Sequence, residues 1–195
     1  MKKKIIAIAA AVAILAVAIV GGTLAWLTST DTVTNTFTVG NVQIKLDETA
    51  VDANGKATSG ARVKANTFHI IPGDVVDKDP TVTVLANSEP CYVYVYIDNQ
   101  LGSHATLNID TTDWVAVDAT SKAGLYQYKS IVTLSTTNTE LPDVFTTVTI
   151  EGDTLDNTTL AGLAGKTVVV KAYAVQSDNV TDAQADGLAW TALHG

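Results

Sequence analysis

Short runs of alternating apolar and polar residues recur along most of this chain. The clearest spans residues 91–97, where Cys91, Val93, Val95 and Ile97 fall on one side and Tyr92, Tyr94 and Tyr96 on the other. A period of two is the mark of a strand with one face in a core. The aliphatic side is expected inside, and the tyrosine row reads as cross-strand support for a sheet rather than as a binding site. Further strands are expected over 68–71, 81–85, 114–117, 125–128, 131–134, 144–150 and 167–176. The strand at 81–85 should pair beside the one that follows it. Turn residues punctuate the runs: Asn54-Gly55 and Ser59-Gly60 lie in an apolar-poor stretch, 47–67, that reads as a long hairpin or a mobile loop. Pro72-Gly73-Asp74 places Gly where a turn needs positive φ. Leu141-Pro142-Asp143 lacks the Thr-Gly continuation and hydrophobic tail of a sortase signal and reads as a turn.

The pattern changes twice. Between residues 34 and 46 the apolar positions are Phe37 and Val39, then Val42, Ile44 and Leu46, so the phase switches across Gly40. A structural bulge at Gly40 would keep both sets inward. From 178 to 195 the spacing becomes helical, with Ala185, Leu188, Ala189, Ala192 and Leu193 three and four apart, Thr181 as a cap and Gly187 as a weak point. Eight or nine short strands and one short C-terminal helix predict an all-β fold, a two-sheet antiparallel sandwich.

Residues 1–25 read as a signal peptide: Lys2, Lys3 and Lys4 precede an apolar run over 5–20, which Gly21-Gly22 ends. Thr23 and Ala25 are small residues three before and one before a cut, so the signal-peptidase site is Thr23, Ala25 and Trp26. The competing reading is an uncleaved anchor, because 5–27 carries no charge. Cleavage leaves residues 26–195 as a single β-sandwich domain that begins with an extended arm, 26–39. Trp26, Leu27, Val33, Phe37 and Val39 are the apolar residues on that arm, and they need a cover.

Gly21-Gly22-Thr23, Ala25, Trp26, Asn35-Thr36-Phe37, Gly40, Val42, Ile44 and Leu46 together resemble the TasA and camelysin family of Gram-positive bacteria. That resemblance implies a leader handled by a signal peptidase of SipW type, a jelly-roll version of the sandwich, and secretion to the extracellular matrix or cell surface. It covers the first quarter of the chain; beyond it only Pro72-Gly73-Asp74 adds a family-like turn.

Charge narrows the partners. The chain of 195 residues carries a formal net charge of -8, and without its three leading lysines 9 basic residues face 20 acidic ones. Such a surface repels phosphate backbones, so no nucleic acid is expected, and the membrane is met only through the leader. The single Cys91 cannot close an intramolecular disulfide and reads as a small buried hydrophobe. Camelysin is classed as a metalloprotease, but His69, His104 and His194 are far apart and no His-Glu-x-x-His motif is present. No catalytic residue, metal site or cofactor is expected. Acidic groups at Asp74, Asp77 and Asp79 and at Asp178, Asp182 and Asp186 lack calcium-loop spacing and read as solvated turns.

The leading expectation is a secreted structural protein that assembles into matrix fibres by N-terminal strand donation, its partners being other copies of itself. The alternatives are a monomeric cell-surface or matrix-binding accessory protein and, in third place, a camelysin-like protease.

Overall fold

Valine and threonine, stiff at χ1 and suited to a pleated surface, recur in most of the described strands. The computed structural model describes residues 40–67, 69–152 and 155–194, all within the unit Val39–Gly195. The strands are β1 (Ile44–Asp47), β2 (Val75–Asp77), β3 (Thr81–Val84), β4 (Cys91–Asn99), β5 (Ala105–Ile109), β6 (Trp114–Ala116), β7 (Leu125–Tyr128), β8 (Thr139–Glu140), β9 (Phe145–Ile150) and β10 (Val168–Gln176). Helix α1 (Asn157–Gly162) precedes β10 and α2 (Asp182–His194) follows it. The fold is all-β, and its strand pairings are antiparallel.

One layer is a four-stranded sheet in the order β10-β4-β7-β6. The residues that meet it in the main core come from two three-stranded sheets, β1-β3-β8 and β2-β9-β5. The second sheet of the expected sandwich is therefore split, and the split has a cause in the sequence. Chain order takes β2 into β3 and β8 into β9, and the bonds Leu141 N–H to Val82 O, Val144 N–H to Pro80 O and Lys78 N–H to Thr146 O carry pairing across the gap. Pro80 and Pro142 sit in that gap without an N–H to give, so the ladder breaks there. Leu141-Pro142-Asp143, read as a turn, is this interruption.

β4 behaves as its alternation requires: Cys91, Val93 and Val95 are fully buried and pack with Val76, Val82 and Phe145. Burial pushes the Cys91 thiol up to about 11, as a packing residue rather than a nucleophile demands. The tyrosine face is also covered. Ala185, Ala189 and Leu193 of α2 bury Tyr94 completely together with Leu125, while Leu188 stays exposed. The Tyr94 hydroxyl donates to Asp186 Oδ1 at 3.0 Å, and Lys171 Nζ donates to the last-turn carbonyl of Leu193 at 2.8 Å. Thr181 and Gln184 exchange bonds as a capping box: Thr181 N–H donates to Gln184 Oε1 at 2.9 Å and Gln184 N–H to Thr181 Oγ1 at 3.4 Å. A helix with a glycine at its centre is held here by a side-chain row that the strand pattern put in place.

Three expectations change, and a fourth, left between two readings, resolves to one of them. β3 pairs β1 and β8, not β4, because residues 85–90 cross from one layer to the other, with Asn87 at φ 62°. Residues 69–71 form no strand, since the Asp74 carboxylate takes the Ile71 N–H and the chain turns at once. The run 131–134 forms a single bridge, Val132 to Cys91, and leaves Ile131 and Leu134 exposed. The stretch 47–67 is an irregular hairpin, bridged at Glu48–Val63 and Val51–Ala57.

Gly124 explains the tight entry to β7. Its φ is +86°, and a Cβ there would lie 2.7 Å from the Ile97 carbonyl oxygen. Gly124→Ala is expected to cost about 2 kcal/mol, from the left-handed backbone and the clash together. Equilibrium urea unfolding measures it, with an unchanged midpoint as the contrary result.

Candidate functional site

Thr23, Ala25 and Trp26 of the signal-peptidase site, and Trp26, Leu27, Val33, Phe37 and Val39 of the donor arm, lie outside the described residues. Gly40 is their limit. It precedes β1 in irregular backbone, and a Cβ there would stand 2.7 Å from Glu89 Cγ. The phase switch ascribed to it involves Phe37 and Val39, which lie beyond that limit.

An acceptor for an added strand needs an open edge lined by apolar pockets. β10 meets the first requirement. All nine residues pair with β4, from Val168 opposite Asn99 to Gln176 opposite Cys91, and among the described residues no strand pairs with its other edge. Val168, Val170, Ala172 and Ala174 are half-buried against the main core, whereas Tyr173 and Val175 pack beside α2. Two alanines in the core-facing row leave the edge thin. Cα atoms of β1 and β10 come within 8 Å, yet the two strands share no ladder. β10 therefore borders a seam between the two layers.

A polar clasp, missed by sequence reasoning, holds the far side of β1. Arg62, the only arginine in the chain, directs Nε to Asp47 Oδ1 at 2.7 Å and Nη1 to Asp79 Oδ2 at 3.0 Å. Its Nη2 donates to the carbonyls of Asp47 and Asp79 at 2.9 Å and to Thr81 Oγ1 at 2.5 Å. Burial alone would raise the Asp47 carboxyl, but hydrogen bonds and charge from Lys45 and Arg62 outweigh it and hold Asp47 below its ordinary value. Asp79 is likewise held down against its burial by Thr49 and Arg62. Asp143 goes the other way, raised by burial and by the charge of Asp79, although Thr81 donates to it at 2.7 Å. The one sequence signal for this network was a lone guanidinium in an acidic chain.

Of the acidic residues read as solvated turns, Asp74, Asp77, Asp79 and Asp186 have structural partners. Asp74 Oδ2 accepts from Ile71 N–H, Asp77 Oδ2 from Ala57 N–H, Asp79 from Thr49 and Arg62, and Asp186 from Tyr94. The three histidines are dispersed. His104 Nδ1 lies 2.9 Å from Glu151 Oε2, His194 stacks on Trp190 with ring centroids 4.0 Å apart, and exposed His69 donates its backbone N–H to Ala53 O at 3.0 Å. Among the described residues no three His, Cys, Asp or Glu side chains converge in a way that would hold a metal ion.

Residues 1–83 match the model of a family described as camelysin metallo-endopeptidase. Over that stretch the likeness to the TasA and camelysin family, read from the leader end and the strand after it, holds. No curated protein and no solved structure matches the chain. The family's description implies a catalytic metal, and the side chains of the described residues do not fit one.

Proposed function

We propose, from the camelysin-family match over residues 1–83 and the nine-residue edge of β10 that no described strand pairs, that this chain is an exported structural protein that polymerises by strand addition. The single observation that carries the reading is the β10 edge. After cleavage behind Ala25, the arm 26–39 of one copy would lie along β10 of the next, with main-chain hydrogen bonds supplying affinity. Trp26, Leu27, Val33, Phe37 and Val39 would fill the space beside Ala172 and Ala174. Because arm and edge are different surfaces, the contact is head-to-tail and builds filaments rather than closed dimers. Extracellular matrix or cell surface is the proposed location, and other copies and a SipW-type signal peptidase are the proposed partners. The role is structural, and no catalytic step is assigned to any residue.

Exposed Ile131 and Leu134, on a shallow groove with Tyr128 and Leu141, favour a second reading. A monomer whose arm folds back on its own edge would keep that groove for a matrix polymer or another surface protein.

The test compares protein beginning at Trp26 with protein beginning at Thr34 by electron microscopy over time. Filaments are expected from the first only, and a synthetic 26–39 peptide in excess should stop their growth. Filaments from both, at equal rates, would rule out donation by the arm.

A further inference from the structure

Glu48, Asn66 and Lys78 form a cluster that neither the fold nor the proposed assembly uses. Lys78 Nζ lies 2.6 Å from Glu48 Oε1, and Asn66 Nδ2 donates to the same oxygen at 2.8 Å. An amine and a carboxamide thus share one carboxylate oxygen, at most the sum of those two bonds apart. The lysine and glutamate side chains are only 12% and 15% exposed, and Asn66 is half-buried. Lys45, Lys56 and Lys129 also pair with carboxylates, Asp47, Asp77 and Asp113. Among the described contacts only the Glu48 pair carries a carboxamide on the same oxygen.

The backbone holds each member in place. Glu48 exchanges N–H and carbonyl bonds with Val63 at 3.0 and 2.7 Å, and Lys78 N–H donates to Thr146 O at 2.9 Å. The carboxamide is fixed at both ends: Nδ2 also donates to Thr49 O at 2.9 Å, and Oδ1 accepts from Val51 N–H at 2.9 Å. That last N–H points at the oxygen on which negative charge would build if Cγ were attacked.

We propose that Lys78 and Asn66 join autocatalytically in an intramolecular isopeptide bond, with Glu48 as the proton carrier. The Lys78 ammonium passes a proton to Glu48 along their hydrogen bond, a step that removes two opposite charges from a shielded site. The free amine attacks Asn66 Cγ and forms the new N–C bond. Glu48 returns the proton to Nδ2 and takes the second proton from the attacking nitrogen, the Cγ–Nδ2 bond breaks, and the ammonia carries that second proton away as ammonium. One C–N bond forms and one breaks, nothing is oxidised or reduced, and the chain loses one ammonia. Positioning of the three groups supplies the effective concentration such a slow acyl transfer needs. The product fastens the 47–67 hairpin to the β2–β3 junction, in a chain whose single cysteine allows no internal disulfide.

Intact-mass and tryptic analysis of the purified protein tests this. The expected result is a mass short of the sequence by one ammonia and no cut after Lys78, so that a looped peptide of residues 65–122 replaces two separate ones. Glu48→Gln and Lys78→Arg should each show the full mass of their sequence and be cut after residue 78. Full mass with cleavage after Lys78 in the parent protein overturns the proposal. So does ammonia loss with that cleavage intact, which would place the loss at a succinimide such as Asn54-Gly55. Neither readout depends on filament formation, so this result and the test of assembly stand apart.

Discussion

Replacing Arg62 with alanine is expected to remove about 3 kcal/mol of folding stability at neutral pH, read as a lowered urea midpoint. The size follows from what is left behind. The Asp47 side chain is 4% exposed, and its remaining cation, Lys45, is half in solvent. Asp79 would keep Thr49 but lose the guanidinium, and the carbonyls of both aspartates would lose the Nη2 donor, Asp79 O keeping the Thr81 hydroxyl. Arg62→Lys keeps the charge and loses the planar fork that reaches six acceptors at once, so it should recover less than half of the loss.

The acid limb tests the same network. Asp47 and Asp79 are held below their ordinary values in the folded chain, so their contribution is complete above about pH 4 and disappears as pH falls through the folded-state values. Asp143, raised by burial, binds its proton more readily when folded and partly offsets that loss. Stability should therefore fall below pH 4 in the parent chain and fall less steeply in Arg62→Ala. An equal slope in both would mean that the guanidinium does not hold these carboxyls down.

Trp114→Ala is expected to cost about 4 kcal/mol, the largest effect of any single truncation in the core. Trp114 is the largest fully buried side chain among the described residues. Its ring meets Tyr128 with centroids 5.5 Å apart, and its Nε1–H donates to Pro142 O at 3.1 Å. That carbonyl lies in the gap between β8 and β9, where the ladder already lacks a donor. Trp114→Phe fills most of the volume but orphans the carbonyl, and it should lose about 1–2 kcal/mol. Equilibrium unfolding of both variants separates packing from the hydrogen bond; equal losses would show that the indole N–H contributes nothing.

Strands with a strict period of two were legible from residue types alone. β4 announced both its faces, and β10 and α2 fell close to where the pattern put them. Pairing was not legible. That β3 crosses to β1 and β8 depends on which layer each apolar row enters, and alternation carries no information on that. The run 68–71 has the composition of a strand, but a carboxylate six residues after Phe68 captures the Ile71 N–H. β2 and β8 are too short, at three and two residues, to rise above their surroundings. The tyrosine row was read as cross-strand support for a sheet; in the structure it seats α2, which required knowing that Ala185 and Ala189 would pack on Tyr94. Arg62 and its acceptors are spread from residue 47 to residue 81 with no period, because ion-pair geometry is set by tertiary position and not by spacing. The same holds for Glu48, Asn66 and Lys78. Of the proposed site, the arm is read from the sequence alone and lies outside the described residues, and the β10 edge was not legible, since an edge is defined by a missing neighbour.

Asn41 O accepts from Glu89 N–H at 2.9 Å, and Pro90 O accepts from Ser177 N–H at 2.8 Å. The point where the described chain enters the sandwich and the point where β10 leaves it thus sit on adjacent residues at one corner. Mechanically, the body hangs from that corner as a bead on a thread. Tension between residues 41 and 177 would pass through the Glu89–Pro90 step instead of along the strands. Overload would unzip β1 and β10 from their ends, one bond after another, where a pull along the strands would have met the nine paired residues of β10 and β4 in shear.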